Sequence, residues 1–160
     1  MSKSSDSMEI MTKKGFRLPK KPLIEIPSLP RDITDLSDDD LMDLFVQLTG
    51  WVDHLSSQLA IASIDEREAE RSVSVAESTA MLNNWKGGTG DRVAIAKAQI
   101  AVDPTVQGLV QVLDEKYAYR KLLESLAQSV ERDSALVSRE LTRRTSDSSG
   151  FKSRSRKFTA

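Results

Sequence analysis

The sequence predicts an all-α protein built around a long antiparallel helical hairpin, and three observations indicate this class. Over residues 37–86, apolar or small side chains recur at alternating steps of four and three, which is the spacing of a coiled-coil core. Residues 104–144 repeat this spacing, and no proline interrupts the interior of either stretch. Aromatic residues are 5% and charged residues 29% of the 160 residues, a composition that suits long helices with a narrow core.

The first long helix is expected to begin after Ser37 and to end near Trp85. Ser37 is an N-cap residue, and the three aspartates after it lie at the positive end of the helix dipole. Glu66 takes one core position with a charged side chain. The other core residues predicted for this helix are Leu41, Phe45, Leu48, Val52, Leu55, Leu59, Ala62, Ala69, Val73, Ala76 and Ala80.

Three glycines within residues 86–90 predict a break after the first long helix. They do not form a P-loop, because no Gly-Lys-Ser/Thr follows them and no strand precedes them. A short helix is expected over residues 92–101. The pair Asp103-Pro104 then predicts a new helix start, with Asp as the cap and Pro as the first helical residue. This last helix is expected to end near Arg144 and to fold back antiparallel on the first.

The last helix carries more apolar residues than one coiled-coil core needs. A second apolar stripe lies beside its core residues, and Lys116, Arg120 and Ser134 interrupt the core itself. The extra width predicts that hairpins associate into a homo-oligomer, whose subunit number the mixed Leu, Val and Ala core does not select. The residues predicted at the oligomer interface are Leu41, Phe45, Leu48, Val52, Leu55, Leu59, Leu122 and Leu126.

Residues 1–36 are predicted to form an extended Pro-rich arm, residues 37–144 the helical domain, and residues 145–160 a flexible basic tail. In the arm, prolines at 19, 22, 27 and 30 alternate with apolar residues and disfavour helix. Two interpretations of the arm stay open: packing on a partner subunit, and a floppy leader. In the tail, a Ser-rich stretch at 145–150 precedes a basic octamer at 151–158.

Charge is distributed unevenly along the chain, although its net value is −1. Residues 1–30 hold six basic and three acidic residues, and residues 139–160 hold seven and two, so the stretch between them has nine excess acids. The basic ends either only solubilise the chain or contact phosphate or an acidic protein surface. In the octamer at 151–158, four cations stand between two phenylalanines, a chemistry suited to nucleic-acid single strands.

Residue types that catalysis and metal binding require are scarce. The chain has no cysteine, and His54 is its one histidine. This excludes thiolate metal sites, and it excludes a Ser-His-Asp triad with a separate base within one chain. We therefore expect no enzymatic activity, no cofactor and no metal site. No apolar run approaches the roughly 18 residues that span a bilayer, and no membrane association is expected.

Two motifs resemble the UvsY-type recombination mediators of T-even phages. Residues 82–87, Leu-Asn-Asn-Trp-Lys-Gly, resemble a helix end of that family, and residues 103–106, Asp-Pro-Thr-Val, open a final amphipathic helix that ends in Arg-rich sequence. The likeness covers residues 55–144. It implies a helical oligomer that binds single-stranded DNA and assists a RecA-like recombinase. The chain departs from the family at Thr79 and Met81, where the family has basic residues implicated in strand binding.

Function remains open between two main hypotheses. The first is a phage accessory protein for recombination or replication that binds single-stranded DNA in the host cytoplasm. The second is a structural or assembly protein of the virion that contacts phage head proteins, and a helical adaptor for another phage enzyme is a third. Trp85 either closes the end of the hairpin or stacks on a base. The residues predicted to bind nucleic acid are Trp85, Lys86, Arg92, Arg139, Arg143, Arg144, Lys152, Arg154, Arg156 and Lys157.

Overall fold

A computed structural model describes the backbone at residues 3–84 and 91–155 and the side chains at residues 3–83 and 93–147. Within these ranges the chain is all-α and has no strand. Its α-helices are α1 (Lys3–Lys13), α2 (Asp38–Asn84), α3 (Asp91–Ala101) and α4 (Pro104–Ser155), and a 3-10 helix covers Ile33–Asp35. The long helices α2 and α4 pack against each other as an antiparallel hairpin, which confirms the predicted fold class.

Both long helices begin at the caps that the sequence predicts. The Ser37 hydroxyl accepts a hydrogen bond from the backbone N–H of Asp40 at 3.1 Å and donates one to the Asp40 carboxylate at 2.6 Å. At the start of α4, the Asp103 carboxylate accepts from the N–H groups of Thr105 at 2.8 Å and Val106 at 3.2 Å. These side chains satisfy N–H groups that have no partner within the first helical turn. The predicted break at residues 86–90 lies outside the described residues.

The C-terminal end of α4 differs from the prediction. The helix does not end near Arg144 but continues to Ser155, through the Ser-rich stretch expected to be a linker. Ser and Thr hydroxyls in this stretch donate to carbonyls of the preceding turn, as Thr145 does to Leu141 at 3.1 Å and Ser146 to Thr142 at 2.9 Å. Arg143 and Asp147 also pair across one turn, at 3.1 Å. These bonds satisfy the hydroxyls within the helix itself, so Ser and Thr are accommodated in it.

The N-terminal arm also differs from the prediction, because its first part is helical. Helix α1 ends at a Schellman motif, in which Gly15 takes a φ of 85°, the Phe16 N–H donates to the Met11 carbonyl at 3.0 Å and the Gly15 N–H donates to that of Thr12 at 3.0 Å. An ion pair between Glu9 and Lys13 spans its last turn at 2.8 Å. From Phe16 to Asp32 the chain forms no helix or strand, as predicted for an extended arm.

Contacts within the chain form two compact units. The first unit contains the residues up to Arg17 and Gln58–Glu124. Its core consists of small or β-branched side chains of α2, α3 and α4 at helical spacing: Ala62, Val73, Ala96, Ile100 and Val106. Helix α1 belongs to this unit, where Ser4 is buried and the Lys3 backbone N–H donates to the Glu68 carboxylate at 2.9 Å.

The second unit contains Leu18–Ser57 and the residues from Ser125 onward. Its core is made of residues from α2 and α4, and the three α2 leucines lie seven residues apart, as a heptad core requires, with Trp51 between the last two. These buried residues are Leu41, Leu48, Trp51, Leu55, Val130 and Val137. In the part of the chain that the structure describes, no helix combines the length and apolar composition needed to cross a membrane.

Burial within one chain accounts for much of the predicted oligomer interface. Leu41, Leu48 and Leu55 are buried in the core of the chain's own hairpin. Phe45, Val52 and Leu59 are half-buried on α2. Leu122 and Leu126 are exposed on α4 by 73% and 41%, and their role in self-association stays a prediction.

The two charged interruptions of the predicted cores meet in the first unit. The Arg120 Nε donates to Glu66 Oε2, and its Nη2 donates to Glu66 Oε1 at 3.2 Å. Only 20% of the Arg120 side chain and 10% of the Glu66 side chain are exposed. The carboxylate raises the pKa of Arg120, chiefly through its hydrogen bond. Arg120 also contacts Glu124 at 3.3 Å and lies over the ring of Tyr117. The bidentate pair therefore joins α2 to α4 at a defined register.

We expect Glu66→Leu and Arg120→Leu each to lower the urea midpoint of unfolding, because each leaves one charge in the core without its partner. The double variant is expected to recover most of the loss, since two leucines fit the aliphatic core on either side. Circular dichroism at 222 nm during urea titration measures both effects. Lys116→Leu is the control, because the Lys116 side chain is 46% exposed and its pair with Asp65 is long, at 3.7 Å, and should matter little. A double variant as unstable as the sum of the singles would contradict the pairing.

Candidate nucleic-acid interface

The residues predicted to bind nucleic acid fall into three groups in the structure. Trp85, Lys86, Arg156 and Lys157 lie outside the described residues. The backbones of Arg92, Lys152 and Arg154 are helical, but their side chains also lie outside the described part. The described side chains are those of Arg139, Arg143 and Arg144, all on α4.

Arg144 is held by the chain segment that leads into α2. Its Nη2 donates to the Thr34 carbonyl at 2.9 Å, and its Nη1 donates to the Leu36 carbonyl at 2.9 Å. The same Nη1 pairs with the Asp38 carboxylate at 2.7 Å. The side chain is 19% exposed. These bonds tie α4 to the 3-10 helix and to the first turn of α2, so the guanidinium is already occupied within the protein.

Glu140 joins Arg143 and Arg144 into one cluster. Its Oε1 accepts from Arg143 Nη2 at 2.7 Å and from Arg144 Nε at 2.8 Å, and its Oε2 accepts from Arg143 Nε at 2.8 Å. These bonds lower the pKa of Glu140 to about 2, with Arg143 contributing most and Arg144 next. The two guanidinium pKa values are raised in turn, that of Arg143 by Glu140 and that of Arg144 first by Asp38.

Pairing with Glu140 gives Arg143 and Arg144 a structural role beside the predicted one, and their contact with nucleic acid stays a prediction. Both were expected to face phosphate, but Glu140 stands three and four residues before them, the separation at which charges pair on a helix. That spacing was visible in the sequence. It is a better guide to the partners of these two arginines than the number of cations at this end of the chain. Arg139 is exposed, and no ion pair or hydrogen bond of its side chain occurs among the described residues. Of the three described arginines, Arg139 is the one whose side chain is not held by a carboxylate of the described residues.

The sequence analysis missed the surface that Trp51 and His54 form with the arm. Trp51 is 6% exposed, and its indole N–H donates to the Ile24 carbonyl at 3.1 Å. His54 lies one helical turn further, half-buried, with its ring edge-on to the indole at 5.8 Å between centroids. Apolar residues between the arm prolines were the available signal, but they do not specify which helix face the arm contacts.

The described residues contain no group of three or more His, Cys, Asp or Glu side chains placed to hold a metal ion. A cavity of about 360 Å³ on the first unit is lined by Asp65, Glu68 and Lys116 together with mainly apolar residues. Asp65 pairs with Lys116 there at 3.7 Å.

The chain was compared with models of protein families, with curated protein sequences and with solved structures. None of the three comparisons gives a match.

Folding stability should depend on pH through Glu140. A folded-state pKa of about 2, against 4.5 in the absence of the arginines, means that the stabilisation is present above about pH 4.5 and is lost as the pH falls toward 2. Glu140→Gln is expected to lower the urea midpoint at pH 7, by an amount that shrinks steadily below pH 4.5. Urea titrations followed by circular dichroism between pH 7 and 2 measure this. The control Glu131→Gln, at an exposed position of α4, should leave the midpoint unchanged throughout. A pH-independent deficit in Glu140→Gln would contradict the assigned role.

Proposed function

We propose that the protein is a non-enzymatic accessory protein that binds single-stranded DNA through the C-terminal part of α4 and the residues after it. The observation that carries this proposal is the continuation of α4 beyond Arg144 to Ser155. Arg144 is the residue that contacts the start of α2, and Lys152 and Arg154 follow it on the same helix. Residues 145–160 hold four cations and a single acid, Asp147.

Charge along the rest of the chain supports this location. Residues 31–138 have nine more acids than bases, which repels phosphate. Arg143 and Arg144 are neutralised by Glu140, Asp147 and Asp38. Cations that remain for a strand are thus concentrated after residue 144, with Arg139 preceding them. Phe151 and Phe158 flank this group in the sequence and supply rings on which bases stack.

The resemblance to UvsY-type mediators supports the same proposal and names the partners. In this function the oligomer gathers single-stranded DNA for a RecA-like recombinase of the phage, in the host cytoplasm. Trp85 and Lys86, which follow α2 in the sequence, belong to the proposed interface as an aromatic residue and a cation. They are independent of the α4 segment, so their substitution tests a separate part of the proposal.

Replacing Lys152, Arg154, Arg156 and Lys157 together by Gln is expected to weaken binding of a labelled oligo(dT) strand and to flatten its salt dependence. Each phosphate neutralised on a single strand contributes about 0.7 to the slope of log affinity against log salt, so four fewer contacts should reduce the slope by about 3. Fluorescence anisotropy at four salt concentrations measures both quantities.

The matched control replaces Lys14, Arg17, Lys20 and Arg31 by Gln. This variant loses the same charge from exposed positions near the other end of the chain. Equal losses in the two variants would show that only net charge matters and would contradict the C-terminal site. Absence of binding by the unmodified protein at low salt would refute the proposed function itself.

A virion assembly role is the second candidate, and the arm favours it. Leu23 is fully exposed and Ile24 is 58% exposed, although both lie in an apolar stretch of an extended segment. Assembly proteins use such segments to contact neighbouring subunits. Mass spectrometry of purified phage particles distinguishes the two candidates, because a replication accessory is absent from the particle and an assembly protein of the head is present.

A further inference from the structure

The face of α2 formed by Gly50, Trp51 and His54 holds residues 19–24 of the arm through four separate contacts. The Trp51 N–H donates to the Ile24 carbonyl at 3.1 Å. The His54 Nδ1 lies 3.2 Å from the Pro19 carbonyl, which only accepts, so this nitrogen carries the proton. Pro22 Cγ lies 3.7 Å from the point where a Cβ on Gly50 would stand. The Lys21 ammonium lies 5.9 Å from the centroid of the Trp51 ring.

These contacts follow a known mode of peptide recognition. Carbonyls of an extended, proline-containing segment accept hydrogen bonds from aromatic side chains, and a proline packs flat on the surface between them. All the recognising groups stand within about one turn of a single helix. All the groups that bind the arm therefore belong to α2. The arm of another copy of this chain can make the same contacts with them.

The chain on either side of a short connection is anchored independently. C-terminal to it, Arg144 binds the carbonyls of Ile33, Thr34 and Leu36. N-terminal to it are the arm contacts and α1. Residues 25–31 lie between these anchors, and no hydrogen bond or ion pair joins them to the rest of the described chain. Seven residues reach up to about 24 Å when extended.

The composition of this connection favours reaching a second copy over folding back. Pro27 and Pro30 fix φ at two positions, which favours extended conformers of the segment. Leu23, which is fully exposed, gains nothing from its own chain. When two copies exchange an identical element, that element makes the same contacts as it does within one chain. The equilibrium between monomer and exchanged dimer therefore depends on the connecting segment and on any contacts that only the dimer makes.

We propose that residues 1–24 exchange between two copies, so that the Gly50–Trp51–His54 face of each copy holds residues 19–24 of the other. Residues 25–31 are the hinge, and α1 moves with the arm. The exposed side chains of Leu23 and Ile24 are then available for contacts between the two copies that the single chain does not make. This inference is independent of the proposed binding to DNA.

Cysteine cross-linking tests the exchange directly, because the natural chain has no cysteine. Pro22→Cys and Gly50→Cys are introduced into separate chains that carry tags of different mass, and the two are refolded together from urea and oxidised. A Cβ on Gly50 would stand 3.7 Å from Pro22 Cγ, so sulfurs introduced at these two positions are close enough to react with each other. We expect a covalent heterodimer on a non-reducing gel. Leu23→Cys mixed with Gly50→Cys is the matched control and should give none, because the Leu23 side chain points to solvent.

The full chain with Pro22→Cys and Gly50→Cys together completes the test. Covalent dimers support the exchange. A monomer with an internal disulfide, and no heterodimer in the mixture, would show that each arm stays on its own chain and would overturn it. No cross-link of either kind would leave this face to a segment of another protein and would overturn it equally.

A variant of the hinge provides a second measurement that needs no cysteine. Pro27→Gly with Pro30→Gly removes the bias toward extended conformers and relaxes closure within one chain. We expect the dimer fraction in sedimentation velocity to fall several-fold, with the helix content by circular dichroism unchanged. An unchanged dimer fraction would overturn the exchange, because dimerisation would then depend on another surface, such as the exposed leucines of α4.

Discussion

In a two-helix core of repeated Leu, Val and Ala side chains, a shift by one heptad replaces one aliphatic contact with another and changes the energy little. The Glu66–Arg120 pair removes this freedom. Any other register would place a carboxylate and a guanidinium apart from each other among apolar side chains, at the cost of burying each charge without its partner. The pair is a specificity device, in the way that a polar residue at one core position fixes register in coiled coils. The contact of Asp65 on α2 with Lys116 on α4 is compatible with the register that it sets.

Arginine has a similar structural use at the start of α2, and this changes how the charge of the chain is understood. Three backbone carbonyls and two carboxylates surround the guanidinium of Arg144, a planar group with five N–H donors that such a site can satisfy. Lysine could not make this set of bonds. The basic residues at the C-terminal end of the sequence therefore fall into two groups. The first pairs with groups of the hairpin, and the second follows Arg144 in the sequence. Electrostatic arguments about partners apply only to the second group.

Patterns among neighbouring residues predicted the long helices and their starts well. Contacts between residues far apart in the sequence were not predicted. The heptad spacing, the Ser37 cap and the Asp103-Pro104 start each depend on neighbours in sequence, and the structure confirms them. Helix α1 had a local signal that was overlooked, since Lys13, Lys14 and Gly15 form a basic last turn followed by a C-terminal glycine. The docking of the arm on Trp51 had none, because a proline-rich segment has no periodicity that identifies its partner. The pairing of Glu66 with Arg120 was visible only as two unexplained interruptions of a pattern.

Weak binding by a single chain would link self-association to the proposed function. In that function one copy offers a strand few cations, chiefly those after Arg144, and the acidic stretch before them repels it. An interaction of so few phosphates weakens steeply with salt and is insufficient alone at physiological ionic strength. When copies are joined, the second basic segment meets the same strand at an effective concentration set by the connection between copies, and the overall affinity rises without any new contact. An exchanged arm would supply such a connection. In this account the arm and the basic end of α4 serve one function, since the arm provides the valency that makes a small set of cations useful.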